Sequence, residues 1–243
     1  MRRIPMSVNT AFAQPIARLR LHEEIVTIIQ KQIMNGTIIS GTKLPPEREM
    51  AETFNVNRTT LREALHKLET FELLEIRHGD GIYAKNYLES GNLDLIKAAV
   101  SMDGNSETLF NVMEARLTIV PEIAALAAQR RTEEELAEIK RVIDREDISI
   151  AERDLSVHHL IVRATHNLVY IIMLNFFNQL HRDVGELYFN DKLNIERSGR
   201  FHREIYEAIK DRKPEDARRI MQNVLQYADQ AVKGNLTGKN KGE

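Results

Sequence analysis

The sequence predicts a mainly α protein in which an N-terminal winged helix-turn-helix is joined to an all-α helical bundle. Three observations lead there. Between Lys43 and Ala84, two amphipathic helical patterns parted by a short turn are followed by two brief apolar runs around a glycine-bearing turn. Beyond Leu93 the apolar residues recur almost throughout at the helical period. The longest apolar run, Leu168 to Leu174 resuming at Phe176-Phe177, falls well short of the ~20 residues of a membrane span and suits a buried helix.

Composition narrows the class. The 243 residues suffice for two domains of ordinary size. There is no Cys, so disulfides and thiolate metal sites are excluded and a reducing, cytoplasmic setting is expected. The basic start MRRIPMSVNTAFAQPIARLR lacks the apolar core and cleavage site of an export signal, and no membrane partner is expected. Net charge is −2, yet residues 1–85 carry 12 Lys and Arg against 10 Asp and Glu, and the rest 22 against 26. The acidic excess therefore belongs to the C-terminal part. A nucleic-acid partner is compatible with the N-terminal part, since local basic placement governs that affinity.

In chain order, residues 1–20 have no clear period and read as a flexible basic arm containing Arg2, Arg3, Arg18 and Arg20. From Leu21 to about Met34 a helix is expected, with Leu21, Ile25, Ile28, Ile29 and Ile33 on its inner face and Asn35-Gly36 as its stop. GTIISGTKLPP is an extended connector. LPPEREMAETF is a short amphipathic helix with a proline lead-in, NVN a tight turn, and RTTLREALHKLETF a longer helix with Leu61, Ala64, Leu65 and Leu68 on one stripe. LLEIRHGDGIYA closes the segment as a hairpin tipped by His78-Gly79-Asp80-Gly81. Residues 21–86 thus form one small domain.

The third helix of that domain carries the chemistry. Arg58, Thr59, Arg62 and His66 gather on a stripe apart from the leucines, so one face packs while the other can enter a groove. Arg58 and Arg62 stand four apart near the helix N-terminus, where guanidinium forks can bind guanine O6 and N7 or grip phosphates. Thr59 and Thr60 are short donors suited to phosphate oxygens, aided by the helix dipole.

LPPEREMA, NVNRTTLREAL and the HGDG tip resemble the N-terminal domain of GntR-family bacterial transcription regulators, with a close likeness to the FadR-like branch along residues 22–85. The resemblance implies that Arg48, Arg58 and Arg62 read or clamp the major groove of a double-stranded operator and that His78 and Gly79 enter the minor groove. Asn57 departs from the family's usual Ser or Thr but is an equally good helix cap.

Glu89-Ser90-Gly91-Asn92 marks a linker at 87–92, and an all-helical domain is expected over 93–233, with helices near 93–102, 106–130, 133–146, 150–166, 168–190, 195–211 and 214–232. Pro121 should kink or break the second of these, Asn167 should cap the fifth, and Pro214 followed by two acids should open the last. Residues 234–243 read as a disordered tail.

Inside this domain Asp154 and His158 stand four apart on a face shared with Val157, Ile161 and Thr165, while His202 shares its stripe with Ile205, Tyr206 and Ile209. A carboxylate and imidazoles pointing into an apolar bundle are expensive unless paired or bound. Two solutions are open: a core network in which Asp154, His158 and His202 satisfy one another, or a divalent metal. The region resembles the FCD ligand-binding domain of FadR-like regulators, many of which hold a divalent ion with an Asp, a His four later and a His on each of the last two helices. Asp154, His158 and His202 match the first three; Val224 stands at the fourth, which leaves one Zn²⁺ or similar ion with three protein ligands. Arg116 occupies the position of the family's E-x-R arginine, suited to a carboxylate effector; Glu114, Glu122 or solvent are its alternative partners.

The resemblance implies a homodimeric transcription regulator, usually a repressor, that binds a palindromic operator and is controlled by a small metabolite such as an organic acid. The alternative is a metal-responsive regulator whose signal is the ion itself. A metallohydrolase built on the same trio lacks a separate general base on that face, so no enzyme is expected.

Overall fold

The fold is known from a computed structural model that describes residues 19–102 and 106–239. The chain divides into two compact units, Met1–Asp103 and Gly104–Glu243. Most of the expected basic arm and residues 240–243 of the expected tail lie outside the described residues.

The first unit is a winged helix-turn-helix. Its helices are α1 (Leu19–Met34), α2 (Glu47–Thr53) and α3 (Arg58–Thr70), followed by β1 (Leu74–Arg77) and β2 (Gly81–Ala84). The strands pair antiparallel with Arg77 opposite Gly81 and Leu74 opposite Ala84. The connector adds to the free edge of β2 through a Lys43–Tyr83 bridge, Leu44 N–H donating to Ile82 O at 2.8 Å and Ala84 N–H to Thr42 O at 2.9 Å. Leu61, Ala64, Leu65 and Leu68 of α3 are fully buried as their stripe requires, together with Leu73, Leu74, Ile82 and Ala84. The α1 stripe is narrower than expected. Ile25, Val26, Ile29 and Ile33 are buried, while Leu21 and Ile28 are exposed, because α1 packs chiefly on α3 and only a thin arc of its surface is covered.

The expected linker is also different. Residues 87–90 form a short helix, α4 (Tyr87–Ser90), and the next, α5 (Leu93–Val100), belongs to the first unit rather than opening the bundle. Leu95 is buried in the first core with Ala98 packed against it. Ser90 Oγ donates to Glu72 O at 2.9 Å, and Asn92 both caps α5 and donates to Thr70 O at 2.8 Å. An apolar stripe eight residues long finds its burial on the nearest uncovered core, and that core is the winged one.

The second unit is all-helical: α6 (Ser106–Arg130), α7 (Glu133–Ile143), α8 (Ile150–Arg163), α9 (Leu168–Tyr188), α10 (Lys192–Lys210) and α11 (Pro214–Lys239). The α6 helix runs unbroken through Pro121. It packs most extensively on α11, and its Ala124, Ala127 and Ala128 are buried. Capping boxes at Thr132–Glu135 and Ser149–Glu152 start α7 and α8, and Asn167 Oδ1 accepts the Val169 N–H at 2.9 Å at the start of α9. Pro214 opens α11 as its sequence foretold, but the helix continues to Lys239, so residues 234–239 are helical and not a disordered tail. Gly234 inside it costs roughly 1 kcal/mol, too little to stop a long helix.

The turn before α3 depends on one side chain: Asn57 Oδ1 accepts the Thr60 N–H at 2.8 Å. Replacing Asn57 by Ala is expected to lower the unfolding free energy of the first unit by about 1 kcal/mol, and Asn57→Ser to leave it nearly unchanged, as measured by urea denaturation.

Candidate functional site

Two sets of residues carry chemistry, one in each unit. In the first, burial of the leucine stripe of α3 turns Arg58, Thr59, Arg62 and His66 to solvent. Thr60 does not join them. It is only 8% exposed, packed on the inner side, and its contribution is the backbone N–H given to the Asn57 cap. Arg48, on α2, is exposed and stands 3.7 Å from Glu52, while Arg62 Nε donates to Glu47 Oε2 at 2.7 Å.

The hairpin forms the wing. The Asp80 N–H donates to Arg77 O at 3.0 Å, which closes a turn with Gly79 at its third position. There φ is +75°, a conformation open to glycine at little cost, and no atom would obstruct a side chain. Steric room is thus left at the tip, with His78 exposed beside it. Asp80 accepts from Lys43 Nζ at 3.1 Å and from the Tyr83 hydroxyl at 3.0 Å, and these bonds hold its carboxyl below the usual carboxylate range. The Arg77 guanidinium lies 4.3 Å from the centre of the Tyr83 ring. Between wing and helices runs a groove of about 880 Å³ lined by Pro46, Glu47, Arg62, His66, Arg77 and His78 among others.

In the second unit the bundle encloses a polar cluster. Ser198 and His202, one turn apart on α10, both meet Asp154 of α8. Ser198 Oγ donates to Asp154 Oδ1 at 2.7 Å, and His202 Nε2 lies 3.0 Å from the same oxygen. The His202 side chain is 2% exposed and that of Asp154 24%. Burial resists ionisation of Asp154, but the His202 hydrogen bond, the two neighbouring imidazoles and Ser198 outweigh it and hold the pKa at about 2. His158 sits edge-on to Phe201, 5.2 Å between ring centres. Burial, with further opposition from Arg116, pushes its pKa down to about 4 against the pull of Asp154, so the imidazole is neutral at pH 7. Its Nδ1 is buried and has no hydrogen-bond partner among the described residues.

Arg116 faces Asp229 of α11, Nη1 to Oδ1 4.0 Å, rather than Glu114 or Glu122; Glu122 is held by Arg218 at 2.6 Å. Burial pulls the Arg116 pKa down against the fields of Asp229, Asp154 and Tyr188. Tyr188 is pushed up to about 12 by burial and by Asp154. The four expected bundle residues thus share one electrostatic neighbourhood. Ser198, Asp229 and Tyr188 join it unannounced. Ser198 was legible as the residue four before His202, and Asp229 as the extension of the buried Ala217–Met221–Leu225 spacing.

A carboxylate with neutral imidazole is a donor set that divalent ions accept, and the orphaned His158 Nδ1 fits an absent partner. Against that, no three His, Cys, Asp or Glu among the described residues converge as a metal-binding group, Val224 offers no donor, and Asp154 and His202 already satisfy each other.

Residues 21–84 match the family described as bacterial regulatory proteins, gntR family, and residues 111–227 match the FCD domain. The second match spans Arg116, Asp154, His158, Ser198 and His202 and ends two residues before Asp229. An uncharacterised HTH-type transcriptional regulator of Mycobacterium tuberculosis is 34% identical over 67% of this chain and 69% of its own length. The Uxu operon transcriptional regulator of Escherichia coli is 34% identical over 61% of this chain and 60% of its own. The fatty acid metabolism regulator protein of Shewanella frigidimarina is 30% identical over 79% and 82% respectively.

The buried pair makes the bundle acid-sensitive. A folded pKa of about 4 for His158 against 6.5 unfolded means that its stabilising share is whole above pH 6.5. As pH falls toward 4 the unfolded chain takes up a proton that the folded imidazole refuses, and up to about 3 kcal/mol is lost. Asp154 adds a further loss between its ordinary 3.8 and about 2. Urea unfolding at pH 7 and pH 4.5 should show this drop in the native chain and a smaller one in His158→Gln.

Proposed function

The chain belongs to the GntR family of bacterial regulatory proteins and carries an FCD domain, and on that premise we propose that this transcription regulator is a repressor that binds a palindromic operator as a homodimer and is released by a small organic acid. The observation that carries the DNA half is the division of α3: its leucines are buried, and Arg58, Thr59 and Arg62 face outward beside a wing with a clear glycine tip. Arg58 and Arg62 take base edges, Arg48 and Thr59 take phosphates, and His78 with Gly79 enters the adjacent minor groove. A small net positive charge in residues 1–85 makes one head a weak binder, so two heads on two half-sites supply the affinity. The cytoplasm is where such a protein meets its DNA.

For the effector, Arg116 is the recognition group. Its guanidinium is buried, its Nε has no hydrogen-bond partner among the described residues, and Asp229 is 4.0 Å from Nη1, beyond a close hydrogen bond. A ligand carboxylate would supply that bond, with His158 Nδ1 as a second polar contact. Binding there biases the dimer between an arrangement that fits DNA and one that does not.

A second reading rests on the same His158 Nδ1. Were Asp154, His158 and His202 to hold a divalent ion, the ion would supply a positive charge beside Arg116 and could itself be the signal.

Fluorescence anisotropy with a labelled duplex enriched from a random library separates these readings. Arg58→Ala is expected to weaken binding by roughly tenfold or more, and the native affinity to fall steeply with salt. Under the leading reading, small carboxylates lower the affinity in the presence of chelator. Under the second, Zn²⁺ alone changes it, and His202→Ala abolishes that response. Affinity for the duplex untouched by Arg58→Ala would contradict the DNA-binding assignment.

A further inference from the structure

Arg62 is held by a charge from another helix. Its Nε donates to Oε2 of Glu47, fifteen residues earlier, at 2.7 Å. The arginine side chain is 60% exposed and the glutamate 31%. An exposed arginine is ordinarily a mobile one, because its long stem samples many rotamers. Here the anchor is stiff. Glu47 is the first residue of α2, entered through Pro45-Pro46 with Pro46 at φ −56°, and an acid in the first turn is favoured by the helix dipole.

The atom that Glu47 takes matters. With Nε engaged by a carboxylate, the guanidinium plane is fixed and the two terminal nitrogens remain, the parallel pair that spans O6 and N7 of guanine. The same carboxylate acts against phosphates. It repels the DNA backbone whatever the sequence, and it neutralises part of what Arg62 could gain from a phosphate oxygen. Glu47 therefore lowers nonspecific attraction while keeping the base-reading geometry.

We propose that Glu47 is a positioning residue that orients Arg62 for base recognition and so sets the sequence specificity of the DNA-binding unit. This rests on the reading that Arg62 contacts base edges, and the test keeps the two apart. The full chain and its Arg62→Ala, Glu47→Gln and Glu47→Asp variants are each used to enrich duplexes from one random-sequence library, and base preference is read at every position. Affinity for an unrelated duplex is measured alongside.

Arg62→Ala should lose preference at one G·C pair in each half-site by roughly tenfold. Glu47→Gln should flatten the same position while binding the unrelated duplex as tightly or a few fold more tightly, and Glu47→Asp should retain part of the preference. A glutamate that served only stability would weaken all duplexes alike and leave the preference profile intact. If Glu47→Gln gives the native profile while Arg62→Ala flattens it, the positioning role is overturned. If Arg62→Ala itself leaves the profile unchanged, base reading by Arg62 fails and the role of Glu47 falls with it.

Discussion

A single helix has to satisfy two demands in the first unit. Burying Leu61, Ala64, Leu65 and Leu68 of α3 fixes its rotation, and that rotation alone decides that Arg58, Thr59 and Arg62 face outward. The other elements serve this orientation. α1 covers the leucines from behind, the Asn57 cap sets where the helix begins, and the connector pairs with β2 so that the wing stands beside the exposed face. Because an α-helix rotates as a rigid body, an error at one buried leucine would misdirect every residue of the reading face.

In the bundle the governing constraint is electrostatic. Charges enclosed by apolar helices persist only with partners. Asp154 meets this through Ser198 and His202 and stays ionised; His158 meets it by remaining neutral. Arg116 is satisfied less completely, with Asp229 at 4.0 Å and a buried Nε that has no hydrogen-bond partner among the described residues. A site with polar groups that are buried but not fully spent is one a ligand can stabilise, and occupancy of such a site is what a regulator can convert into a change of state.

Much of this was legible in the sequence for identifiable reasons. The leucine stripe of α3 and the inward placement of His158 and His202 follow from the helical period, which depends on nothing distant. Thr60 lies inward where Thr59 lies outward, because adjacent residues on a helix differ by 100°. Leu21 and Ile28 are exposed despite lying on the apolar stripe, because periodicity gives the direction of a stripe but not how much of it a partner covers. The placement of α5 depends on which of two cores lies within reach, and Asp229 as the neighbour of Arg116 on a pairing between α6 and α11, helices far apart in the chain. No local pattern contains either fact.

The proposed function has α3 reading DNA in two copies, one on each half of a palindromic site. Hydroxyl-radical footprinting of the full chain on a duplex enriched from a random library tests it most directly. Two protected patches on the same face of the duplex, centred about one helical turn apart or a whole multiple of it, are the predicted result. Uniform protection along the duplex, or one patch with no symmetric counterpart, would contradict it.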